Sequence, residues 1–133
     1  MLIDTHCHLD FPDFDADRDA VVERSAQAGV GTIINVASSL QASRQAIALA
    51  GRYARVYASV GIHPHDAKDV SCEAFAELRQ LAQNPKVVAV GEVGLDFYRN
   101  LSPVPEQIDV FSRFIGLALE RELPLIVHSR LAQ

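Results

Sequence analysis

Cysteine is scarce in this chain. Cys7 and Cys72 are the only two in 133 residues, and they form no CxxC pair. A reduced, cytoplasmic setting fits that usage. Positive charge is short as well: 12 Lys and Arg against 17 Asp and Glu leave a net charge of −5. A protein that grips nucleic acid by broad phosphate neutralisation is basic. Any nucleic-acid contact here must therefore be local, at a site where bound cations supply the positive charge. No stretch is long and apolar enough to span a bilayer, so no membrane partner is expected. The N-terminus lacks the basic segment and cleavage site of a signal peptide. Repeats, low-complexity tracts and linkers are missing too. What remains is an ordinary globular balance, 49% apolar and 22% charged. Residues 1–133 are read as one domain with enough chain to bury a sizeable core.

Five apolar runs alternate with four helical patterns. The runs cover 2–6, 32–37, 56–62, 87–92 and 125–128; they are rich in Val and Ile and mostly continuous, as parallel strands covered on both faces are. Between them, Asp15 or Asp17 can cap a helix ending at Gly29. Ser38 or Ser39 can start the next, with Ala42, Ala46, Leu49 and Tyr53 along one stripe. Ser71 can start a third, where Phe75, Leu78 and Ala82 recur and Asn84-Pro85 stops the pattern. Pro103 and Pro105 suit the first turn of a fourth, whose buried face is expected to carry Ile108, Phe111, Ile115 and Ala118. The result is an α/β chain of repeated βα units, either a barrel or an open doubly wound sheet. Polar residues cluster at strand C-terminal ends, where barrels and open α/β sheets both bind their ligands.

His6 and His8 stand two apart on the first strand. Side chains alternate faces with period two, so both can point the same way while Cys7 packs on the other side as a small hydrophobe. Neutral imidazole is a common metal ligand, although a lone histidine is more often a surface or core residue. Glu92 ends a run with no other charge. A strand-end carboxylate usually faces solvent, but Gly91 and Gly94 beside it permit close approach of backbone or ligand. Its two oxygens can bridge two cations, as di-metal hydrolases require. Asp96 either orients a histidine from behind or is a turn residue. In His63-Pro64-His65-Asp66, Asp66 is read as a helix cap and His65 as solvent-exposed, while His63 can reach a substrate phosphate. His128 terminates the fifth strand. Arg130 beyond it has the fork geometry for a phosphate, against the common alternative of a solvated arginine. Tyr98 and Arg99 can stack on or pair with a nucleotide, though exposed loop residues often do neither.

These residues, in Leu2-Ile3-Asp4-Thr5-His6-Cys7-His8-Leu9-Asp10, Gly61-Ile62-His63-Pro64-His65, Gly91-Glu92-Val93-Gly94-Leu95-Asp96-Phe97-Tyr98 and Leu123-Pro124-Leu125-Ile126-Val127-His128-Ser129-Arg130, resemble the TatD-related metal-dependent DNases, in that family's order and spacing. The resemblance implies a TIM-type barrel of the amidohydrolase kind and a centre of two divalent metal ions. By it, His6 and His8 hold one ion, Glu92 bridges and is catalytic, and His128 holds the second. His63 and Arg130 match positions near the substrate phosphate. Mixed His and carboxylate ligands suit Mg, Mn or Zn, and the family favours Mg.

The family pattern also calls for a histidine on a sixth strand and an aspartate on an eighth, and no residue here can be assigned to either. A typical barrel takes about 250 residues. The expectation is therefore the N-terminal five βα units of an incomplete barrel: DNA phosphodiester hydrolysis in the intact parent, impaired activity in this chain. A truncated, non-catalytic product is the alternative. An amidohydrolase acting on C–N bonds is a remoter one, because such enzymes commonly place a lysine on strand four, where Glu92 stands and Lys86 only precedes. Two bare strand edges, which natural proteins rarely tolerate, point to self-association as a homo-oligomer.

Overall fold

The computed structural model describes residues 1–132. Five strands, β1 (Leu2–Cys7), β2 (Val30–Asn35), β3 (Val56–Val60), β4 (Val87–Asp96) and β5 (Leu125–Arg130), form one sheet in the order β1-β2-β3-β4-β5. Every neighbouring pair is parallel. Helices α1 (Arg18–Gln27), α2 (Leu40–Arg52), α3 (Cys72–Leu81) and α4 (Val104–Arg121) make the four crossovers. Strand order settles what periodicity could not. A doubly wound sheet reverses direction at a switch point. Here the order never reverses, so right-handed crossovers put all four helices on one face and curl the sheet into half a barrel.

The helix boundaries follow local chemistry. Ser39 Oγ accepts from Ala42 N–H at the start of α2 (3.0 Å), and Ser71 Oγ accepts from Ala74 N–H at the start of α3 (3.1 Å). Asp17 stands at the N-cap of α1 but makes no capping bond; its carboxylate pairs with Arg24 instead. Gly29, at φ +90°, turns the chain into β2. The strand ends depart from the apolar runs. β4 continues past Glu92 to Asp96 and β5 past His128 to Arg130, because the two pair in register from Val93–Val127 through Asp96–Arg130. Glu92 is thus within a strand, not at its end.

The core lies between sheet and helices: Ile33, Val56, Val60, Val90 and Val93 from the strands meet Ala46, Leu78, Phe114 and Leu117 from the helices. Cys7 packs against it, partly buried. On α4 the buried face is rotated from the expected one. Ala118 is buried as anticipated and Phe111 packs on the core, but Ile108 and Ile115 are 49% and 36% exposed. The buried positions are Gln107, Val110, Phe114, Leu117 and Ala118. This helix is apolar on much of its circumference, so two stripes compete. A polar residue selects between them: the Gln107 carboxamide accepts from Asp96 N–H (2.8 Å) and donates to Asp96 O (3.2 Å) and Ser102 O (2.7 Å). Those bonds lock Gln107 inward and carry Phe114, one heptad on, into the core.

The two faces of α4 should separate in urea unfolding. Phe114→Ala is expected to cost about 3–5 kcal/mol, whereas Ile115→Ala should cost under about 1 kcal/mol. Equal losses would contradict the phase described.

Candidate metal centre

The C-terminal ends of β1, β4 and β5, and the turn after β3, bring five histidines and two carboxylates together. His6, His8 and Glu92 offer ligand atoms that all lie within 4.8 Å of one another, and so do His63, His65 and His128. Glu92 joins the groups. Its Oε2 is 3.7 Å from His6 Nε2, and its Oε1 is 3.2 Å from His128 Nδ1. An ion held about 2.0–2.2 Å from its ligands keeps them within about 4.4 Å of one another, so groups this close need only small side-chain movements to take one.

Glu92 owes its place to small residues around it. A Cβ on Gly91 would meet Ile126 Cβ and O at 2.6 Å, and one on Gly94 would collide with the His128 carbonyl. Only glycine lets β4 lie this close to β5. The pairing shifts between Val90 and Val93, as a bulge does when it re-aims a side chain. Glu92 N–H donates to Ala37 O (2.6 Å). Ala37 N–H donates to Ser59 Oγ (3.0 Å), whose hydroxyl donates to Gly91 O. β3 and the residues just after β2 thereby brace the β4 peptide that presents the carboxylate, and neither Ser59 nor Ala37 carries a sequence signal for this.

The hydrogen bonds also fix where the imidazole protons sit. His8 Nδ1–H donates to Val36 O (2.8 Å), which leaves Nε2 with a free lone pair. Asp96 Oδ2 accepts from His128 Nε2–H (3.0 Å) and from His65 Nε2–H (2.7 Å). His65 N–H donates to His63 Nδ1 (3.2 Å), so the proton of a neutral His63 is on Nε2, which faces His128 Nδ1 at 3.2 Å. The unprotonated His128 Nδ1 thus stands 3.2 Å from a carboxylate oxygen. Two acceptors turned on one space suit a cation between them, and the residues fit a divalent ion held by mixed nitrogen and oxygen donors.

Asp96 is wholly buried. Burial alone would raise its pKa. Hydrogen bonds from Arg99 N–H, His65 and His128 outweigh that and hold the carboxyl far below the usual carboxylate range. His63 is pushed down to about 4, first by burial and then by the neighbouring His65 and His128. It is therefore neutral at physiological pH and carries one N–H toward the site.

His6, His8, Glu92, His128, His63 and Asp96 are thus brought together. Arg130 stays outside that cluster: it is exposed, with its guanidinium carbon 6.0 Å from the centre of the Tyr98 ring. His65 departs from the solvent-exposed reading, because Asp96 draws its ring inward and leaves the side chain 29% exposed. The signal was present in the sequence. With Pro64 between them and His63 in an extended conformation (ψ 145°), His63 and His65 repeat the His-x-His spacing of β1. Asp66 does not cap a helix; His63 accepts the capping bond of the short 3-10 turn Pro64–Asp69, and Ser71 caps α3.

Known proteins are similar to this chain in sequence and fold. Residues 3–133 match the family described as TatD related DNase. The chain is 43% identical over 129 residues to a "3'-5' ssDNA/RNA exonuclease TatD" of Enterobacter lignolyticus, covering 97% of this chain and 50% of that protein. It is 42% identical over 130 residues to the "Uncharacterized metal-dependent hydrolase YjjV" of Escherichia coli, covering 96% and 50%. The crystal structure of that YjjV protein superposes with a TM-score of 0.90 at 40% identity, over 98% of this chain and 51% of the other. A TatD family hydrolase from Entamoeba histolytica also gives 0.90, at 25% identity, over 98% and 50%. The chain spans about half the length of the curated relatives it matches, and its half-barrel corresponds to the N-terminal part of a TIM-type barrel. Relatives at this identity are metal-dependent hydrolases and nucleases, and this chain belongs to the TatD-related DNase family.

Proposed function

We propose that this chain carries the cation-binding and phosphate-facing half of a nucleic-acid phosphodiesterase, acting on the end of a DNA strand. The observation that carries the reading is Glu92. One of its oxygens faces His6 and the other His128, an arrangement suited to bridging two ions. His6 and His8 serve one ion through their Nε2 atoms, and His128 serves the other through Nδ1. Bound divalent cations supply the charge that polarises a phosphoryl oxygen and lowers the pKa of a water. Mg suits the carboxylate, and Mn or Zn suit the imidazoles better. Neutral His63 directs its Nε2–H at His128 Nδ1, and an ion taking that lone pair would free the N–H for a phosphate oxygen. Arg130 has no ion-pair partner among the described residues and is free to clamp a phosphate from the rim. Relatives named as single-strand DNA and RNA exonucleases support this substrate class.

The sixth-strand histidine and eighth-strand aspartate of the family pattern are not among these 133 residues. These 133 residues taken by themselves should therefore bind cations more weakly than a full barrel that supplies both groups. Two free cysteines, one exposed, accord with the reducing cytoplasm. No helix among the described residues is long and apolar enough to cross a membrane.

Self-association belongs to the same proposal. The outer strands β1 and β5 each have one unpaired edge. Leu2 and Ile3 on β1 and Val127 on β5 are more than half exposed, as is Leu119 on α4. Apolar side chains beside an open edge favour pairing with another copy.

Two measurements check these statements. Glu92→Gln should weaken Mn²⁺ binding to this chain by calorimetry at least ~10-fold and, in the full-length protein, remove metal-dependent cleavage of a single-stranded oligonucleotide; unchanged binding and turnover would overturn the bridging role. Light scattering of the purified chain should show a mass above the monomer that rises with concentration, and a stable monomer at all concentrations would refute the self-association.

A further inference from the structure

The reading above gives His65 no task, yet it is held as firmly as any residue in the site. Its carbonyl accepts from Ser102 Oγ (2.7 Å), and Ser102 Oγ in turn accepts from Lys68 N–H (3.1 Å). Its ring nitrogen Nε2 reaches the same oxygen of Asp96 that His128 uses. We propose that His65 is a positioning residue for the metal centre: by sharing Asp96 Oδ2 with His128, it fixes the tautomer in which His128 turns an unprotonated Nδ1 toward Glu92. This rests on the cation-site reading of Glu92 and His128.

The argument is one of acceptor occupancy. Asp96 Oδ1 is taken by Arg99 N–H (2.8 Å), and Oδ2 by the two imidazoles. Gln107 pins the Asp96 backbone on both sides. With each oxygen engaged, the carboxylate has one orientation, and a fixed acceptor gives His128 one ring flip and one tautomer. Without the His65 donor, half of the Oδ2 contact is lost, the carboxylate can rotate, and water can enter beside it. His128 then has two ring orientations open to it, one of which points a proton at Glu92. A group behind a ligand acts on metal affinity in this way.

The same residue sets the tautomer of His63, but through its backbone. His65 N–H occupies His63 Nδ1 and leaves the proton on Nε2. One residue thereby makes His63 a donor and His128 an acceptor at adjoining points of the site. Replacing the side chain should disturb only the second of these, and that split distinguishes positioning from general destabilisation.

Long-range imidazole ¹H–¹⁵N spectra of the cation-free chain, with Mn²⁺ calorimetry, test the proposal. The wild-type chain should show His128 as a single tautomer with Nδ1 unprotonated. His65→Leu, which keeps bulk without a donor, should show mixed His128 tautomers and about 10-fold weaker Mn²⁺ binding. His65→Gln, whose amide can donate to Asp96, should restore both. His63 should keep its Nε2-protonated tautomer in all three, although its chemical shifts move with loss of the adjacent ring. Unchanged His128 signals and Mn²⁺ affinity in the Leu variant would overturn the proposal, and so would a Gln variant as impaired as Leu. If Leu prevents folding, His65→Ala takes its place. A wild-type chain that binds no Mn²⁺ would instead refute the cation-site reading, while the tautomer comparison still decides the part played by His65.

Discussion

The carboxylate of Asp96 is the point to which four elements of this structure are tied. It sits at the end of β4, beyond reach of water, and receives hydrogen bonds from the turn after β3, from β5 and from its own following loop. A buried carboxylate without partners would be expelled or protonated, because desolvation costs several kcal/mol. Here the donors more than offset that cost, so the group is an anion across the physiological range. The consequences run outward. The Asp96 backbone, through Gln107, sets which face of α4 is buried. Its side chain sets how His65 and His128 stand. A helix phase and a site geometry thus share one anchor.

Glu92 depends on a second constraint, the narrow spacing of β4 and β5. Gly91 and Gly94 remove the two Cβ atoms that would push the strands apart, and the shifted pairing between Val90 and Val93 re-aims the carboxylate. The brace from Ala37 and Ser59 supplies the hydrogen bonds that a regular ladder would otherwise make there. Irregular backbone in a buried sheet is tolerable only when its polar groups find partners. The partners come from β3 and from the residues just after β2, so the position of one glutamate depends on segments well away from its own strand.

Much of this was legible in the sequence, and the parts that were not share a cause. His6 and His8 were readable because period-two alternation is local: two residues on one strand either share a face or do not. The order of elements was readable for the same reason, from apolar runs and from Ser39 and Ser71 as caps. The inward turn of His65 was not, because it depends on a hydrogen bond to the buried carboxylate of Asp96, 31 residues away. The face of α4 was not, because Ile108 and Ile115 are as apolar as Val110 and Phe114, and a polar Gln107 broke the tie. The extension of β4 past Glu92 was hidden by glycine, which reads as an interruption and here permits a close approach of β4 to β5. Choices made by hydrogen bonds between distant segments are invisible to periodicity.

The charge of the chain bears on how it would meet a polyanion. At −5 overall, its surface repels phosphate weakly and at short range, since exposed charges are screened beyond about 8 Å at physiological ionic strength. What decides binding is therefore the site itself. Its imidazoles are arranged as one neutral donor, His63, and lone pairs on His8 and His128, with Glu92 between; without bound cations this lining is negative and should turn phosphate away. Under the proposed function, two divalent ions would reverse the local balance, and Arg130 would add to it at the rim. A surface of this kind holds few phosphates at once, which favours the end of a strand over the middle of a duplex. The shortage of basic residues argues against a broad nucleic-acid interface but is compatible with a single-phosphate one; under the proposed function, cations would then be a condition of substrate binding as well as of chemistry.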